Sequence, residues 1–143
     1  MTVRRTVLLS DFHLGTNPLL DDFTHDAEFA ALLALPEFRP ETDTELSLVL
    51  LGDTFDLWQA VSPQECNSED AAQVVLEYDA ASEGRRFEEI RARHADWFAA
   101  LGQFAHRPRC RLFIVSGNHD HSLIHPDLQA RAAAGLGLPT SRV

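Results

Sequence analysis

Three short apolar runs, Thr6 to Leu9, Leu46 to Leu51 and Leu112 to Val115, constrain this chain more than any other feature. Each has strand length and a β-branched content that suits burial in a sheet. Between them lie patterns with helical period. Asp26 to Leu35 carries Phe29, Leu32 and Leu33 on one side, and Phe87, Ile90, His94, Trp97, Phe98 and Leu101 recur at helical spacing further on. The order β, α, β, α, β predicts an α/β fold with a largely parallel sheet, right-handed crossovers and covered faces. The polar segment from Ser62 to Asp70 reads as a loop into a helical stretch from Ala71 to about Phe104, with Gly84 as the expected break. A last helix is expected from Pro126 to Gly135, since proline suits a first helical position and glycine suits the residue after a helix.

The chain has 143 residues, 45% of them hydrophobic, so one domain with a true core is expected and intrinsic disorder is excluded. No apolar run approaches the roughly 20 residues needed to cross a bilayer. Arg4 and Arg5 are followed by too few apolar residues for a secretory segment, and a cytoplasmic location is expected. Cys66 and Cys110 form neither a CxxC pair nor a disulfide framework and read as ordinary thiols. Twelve arginines and no lysine face 22 acidic residues, and the resulting charge of −10 makes nucleic acid an unlikely partner.

Each strand is followed at once by residues able to hold a metal: Asp11-Phe12-His13, then Gly52-Asp53, then Gly117-Asn118-His119-Asp120. In a parallel sheet the carboxyl ends of the strands meet at one crevice, so these segments are expected to converge. At an extended strand end Asp11 and His13 would point the same way and Phe12 the other. Asp53 could bridge two cations with its two oxygens, and Asn118 offers a neutral oxygen. Oxygen and nitrogen donors without thiolate suit Mn²⁺ first, then Fe or Zn²⁺. Two such ions can clamp a phosphoryl group and activate water, which points to phosphoester hydrolysis.

The motifs Asp11-x-His13, Gly52-Asp53-x-x-Asp56 and Gly117-Asn118-His119-Asp120 resemble, in order, the first three motifs of the calcineurin-like metallophosphoesterases. The stretches Leu9 to Gly15 and Leu51 to Trp58 look nearest to the branch containing UDP-2,3-diacylglucosamine pyrophosphohydrolases. The resemblance implies a layered αββα sandwich, present here as roughly its first half, β-α-β-α-β-α, over residues 1–143. It implies two divalent ions, with Asp11 and His13 on the first, Asp53 between them and Asn118 on the second. It makes His119 the group that stabilises the phosphate or protonates the leaving oxygen, with Asp120 orienting its ring, and it makes a phosphate ester the substrate.

The family pattern continues with another histidine and a Gly-His-x-His that this sequence lacks. The second metal site is therefore expected to be incomplete and the chain to be a truncated domain with impaired activity. His121 and His125 are expected to face solvent rather than replace the missing ligands. A half-domain would also leave an apolar sheet face open to self-association. Asp56 fits two roles equally, support behind the ligands or cap of a short helix. His94 reads as a hydrogen-bonded core residue. Arg107, Arg109 and Arg111 read as a solvated rim rather than a phosphate grip, and Arg85, Arg86, Arg91 and Arg93 as an exposed helix face. The alternative function is a non-catalytic interaction module derived from such an enzyme; a nuclease is disfavoured by the acidic charge.

Overall fold

The computed structural model describes residues 2–16, 23–58, 60 and 80–139. Strand β1 (Val3–Leu9) is followed by helix α1 (Asp26–Ala34) and a 3-10 turn at Pro36–Phe38, then by β2 (Thr44–Leu51). Helices α2 (Ala80–Arg93) and α3 (Ala95–Ala105) lead into β3 (Cys110–Val115), and a second 3-10 turn (His121–Ile124) precedes α4 (Pro126–Gly135). The strands form one parallel sheet in the order β1-β2-β3, with Leu8 opposite Val49 and Val49 opposite Phe113. The α/β class and the parallel sheet are as the alternation of apolar runs predicts. The expected loop of Ser62 to Asp70, the first part of the helical stretch from Ala71, and Cys66 lie outside the described residues.

Strand pleating puts alternate residues on opposite faces, and here the two faces differ sharply. Leu46, Leu48 and Leu50 are wholly buried on one of them. The same core holds Phe29 and Leu33 of α1, Phe87 and Ile90 of α2, and Trp97, Phe98, Leu101 and Phe104 of α3. Trp97 sits at the centre of an aromatic cluster, stacked on Phe29 and edge-on to Phe12, Phe55 and Phe98. On the opposite face Leu8, Leu51, Phe113 and Val115 are 61%, 51%, 48% and 43% exposed. Among the described residues, then, the helices cover one face of the sheet and leave the other open.

The helical stretch is broken at His94, not at Gly84. Gly84 lies inside α2, where a Cβ would come within 3.0 Å of the Arg131 side chain of α4. His94 leaves helical geometry and is drawn into the core: its Nδ1 lies 3.0 Å from Asp26 of α1, and its Nε2 donates to the Gly15 carbonyl at 3.1 Å. A buried imidazole without partners would cost about 1–3 kcal/mol, so these bonds fix where the helix turns. Arg86, expected on an exposed face, is wholly buried, whereas Arg85, Arg91 and Arg93 are exposed. Helix α4 begins at Pro126 and ends at Gly135, as predicted. No helix among the described residues is long and apolar enough to cross a membrane.

Candidate metal centre

Parallel pairing carries the ends of all three strands to one edge, and the chain then keeps pairing beyond them. The backbone N–H groups of Asp11, His13 and Leu14 donate to the carbonyls of Gly52, Asp53 and Thr54, at 3.4, 3.0 and 3.0 Å. Gly52 N–H in turn donates to Val115 at 2.9 Å, tying in the end of β3. The loops after β1 and β2 are therefore zipped together before any side chain is considered.

Their backbone is left-handed at three residues with side chains: Asp11 at φ 58°, His13 at φ 50° and Asp53 at φ 49°. Such conformations cost on the order of 1 kcal/mol or more each and concentrate at functional sites. The expected extended Asp11-Phe12-His13 end is thus replaced by a turn that is left-handed at both Asp11 and His13. Phe12 still points away, into the rings of Phe23, Phe29 and Trp97 at 5.4, 5.4 and 5.7 Å between centroids.

Two overlapping groups of donor atoms result. Asp11, His13 and Asp53 each offer an atom within 4.8 Å of the others, and so do His13, Asp56 and His119. Asp56 is wholly buried, with one oxygen 3.5 Å from His13 Nδ1 and the other 3.2 Å from His119 Nδ1. Neither contact has hydrogen-bond geometry, and both imidazole Nδ1 atoms are buried without a hydrogen-bond partner. The two rings meet edge to face at 4.7 Å, and Trp58 stacks on the other side of His119 at 5.3 Å.

Asp120 does not orient His119. Its Oδ2 accepts from the Thr54 and Phe55 amides at 2.8 and 3.2 Å, and its Oδ1 accepts from Gly117 N–H at 2.5 Å. Three inward backbone donors hold a buried carboxylate more firmly than a neighbouring ring could, and Asp56 takes the place beside the imidazole. Asp53 Oδ1 also accepts from His119 N–H at 3.0 Å. A Cβ on Gly117 would fall inside the Asp53 carboxylate, so only glycine allows the third loop to close over it.

Asn118 stands between Gly117 and His119 on this loop, exposed to solvent. His121 and His125 are also exposed; His121 packs edge-on to Trp58, and neither joins the two donor groups. The structure thus brings together Asp11, His13, Asp53 and His119, and adds Asp56, whose role the sequence left open. Nothing in the sequence singled out Trp58 as a neighbour of His119.

The donors are carboxylate oxygen and imidazole nitrogen, and no ion pair with an arginine compensates Asp11 or Asp53 among the described residues. Carboxylate and imidazole donors on strained backbone, with two buried nitrogens that lack a hydrogen-bond partner, could hold a metal ion. No protein-family profile, curated protein or solved structure matches this chain.

Proposed function

We propose that this chain is a cytoplasmic, metal-dependent phosphoester hydrolase built on the first half of a calcineurin-like metallophosphoesterase domain. The observation that carries the reading is the convergence of Asp11, His13 and Asp53, all left-handed and all with donor atoms within 4.8 Å. A divalent ion bound there supplies a Lewis acid for the phosphoryl oxygen and lowers the pKa of water. Asp11, His13 and Asp53 would hold that ion, and Asn118, on the loop that closes over Asp53, would join Asp53 in a weaker second site. His119, set between Asp56 and Trp58 with its ring 4.7 Å from that of His13, serves to hold the phosphate or to protonate the leaving oxygen. Asp56 positions that ring, and Asp120 holds the loops that carry the ligands.

The test is Mn²⁺ binding by calorimetry together with hydrolysis of bis(p-nitrophenyl) phosphate. One tight Mn²⁺ equivalent and slow, metal-dependent turnover are expected, with both lost in Asp53→Asn. A folded Asp53→Asn chain that binds Mn²⁺ and turns over like the parent refutes the reading.

The uncovered face of Leu8, Leu51, Phe113 and Val115 favours a second reading, a non-catalytic interaction module. Its partner would be a second copy of this chain, seen as a concentration-dependent dimer in sedimentation.

A further inference from the structure

At the far end of the sheet, where β3 begins, a cavity of about 640 Å³ opens between the turn 107–111 and Leu138. It lies roughly 20 Å from the metal-binding residues, the length of a six-residue strand. We propose that this cavity is a separate binding site for a small organic phosphate.

Its charge is the reverse of the chain's. Arg107, Arg109 and Arg111 line it, with Glu45 as the one carboxylate. Glu45 is shared, 3.8 Å from Arg111 and 3.4 Å from Arg4. Arg107 is not part of a solvated rim: its guanidinium donates to the Leu33 and Phe38 carbonyls at 2.8 and 3.1 Å, which ties its head to α1 and the first 3-10 turn and leaves Arg109 and Arg111 as the cations offered to a ligand. Arg109 is exposed and joins none of the ion pairs among the described residues. Cationic groups at the rim and Ala105, Leu112 and Phe113 on the wall suit a ligand with an anionic head and an apolar body.

The turn that presents Arg109 adds a second observation. Cys110 N–H donates to the Arg107 carbonyl at 3.2 Å, Pro108 occupies the second position, and Arg109 takes the third at φ 63°. That third position ordinarily belongs to glycine or asparagine. Arg109 therefore stands exposed at a position whose backbone favours glycine, and its planar guanidinium suits bidentate binding of a phosphate.

The experiment titrates 1-naphthyl phosphate and, separately, inorganic pyrophosphate into the EDTA-treated full chain by calorimetry, so the metal centre takes no part. Naphthyl phosphate is expected to bind, more tightly than pyrophosphate, and to weaken about tenfold in Arg109→Gly and in Arg111→Ala. Arg109→Gly should melt at or above the parent's temperature, which separates loss of the ligand contact from loss of the fold. Asp53→Asn should bind like the parent. Absence of binding, binding indifferent to both arginines, or binding abolished by Asp53→Asn overturns the proposal. Pyrophosphate binding as tightly as naphthyl phosphate overturns the apolar part of it.

Discussion

Asp120 offers the sharpest separation between a structural and a catalytic carboxylate. Its side chain is wholly buried and accepts from three backbone amides, those of Thr54, Phe55 and Gly117. Asp120→Ala leaves all three without an acceptor. Two of those residues are buried and one is partly exposed, and each buried unpaired amide costs about 1–3 kcal/mol. The two buried amides alone put the loss at about 2–6 kcal/mol, comparable at its upper end to the whole stability of a small domain. Asp120→Asn keeps one oxygen for Thr54 and Phe55 but turns an NH₂ toward the Gly117 N–H, which limits the loss to about 1–3 kcal/mol. Urea unfolding followed by tryptophan fluorescence, in EDTA so that no bound cation contributes, gives both values. The expected order is parent, then Asn, then Ala, with an unchanged m-value. An Asp120→Ala chain within about 1 kcal/mol of the parent refutes the clasp. An Asp120→Asn chain of full stability that has lost all hydrolysis returns the residue to the role of orienting His119.

Three further outcomes follow from the geometry. Gly117→Ala drives a methyl into the Asp53 carboxylate, and it should abolish Mn²⁺ binding while the circular dichroism of the helices persists. Phe113→Glu places a charge on the open sheet face and should reduce self-association in sedimentation, changing stability by less than about 0.5 kcal/mol. Burial, opposed by the nearby Arg107 charge, raises the Cys110 thiol above its ordinary value of 9.0. Above pH 9.0 the unfolded chain therefore loses the proton first, and this group's contribution to stability falls as pH rises. Peptide-resolved alkylation at pH 8 should find Cys110 slower in the native chain than after unfolding in urea.

The strands were legible because a buried parallel strand must be continuously apolar on at least one face, and Leu46 to Leu51 satisfies that with few alternatives. Their ends located the cluster of Asp11, His13 and Asp53 for the same reason, since parallel topology fixes which ends meet. Backbone handedness was not legible: aspartate and histidine tolerate left-handed geometry better than most residues, but it is the pairing of two loops that imposes it at positions 11, 13 and 53. The exchange of roles between Asp56 and Asp120 is of the same kind. Asp120 adjoins His119 in sequence, but its carboxylate meets amides some 65 positions away. The helix break at His94 also depends on distant partners, Asp26 and Gly15.

The sheet has consequences for the order of events in time. Val3 meets Thr44 only after the chain has passed through α1, and Leu46 meets Cys110 only after α2 and α3. Large loops must close before the first ladder bond forms, so assembly is slow compared with that of a helical bundle of equal size. Helix α3, with Trp97 and Phe98, has local contacts that can form early. The left-handed turns at Asp11, His13 and Asp53 cannot, because they are held by bonds between neighbouring strands. A cation held by those residues, as proposed, would act on the last step alone: it would slow unfolding and leave the folding rate where it was.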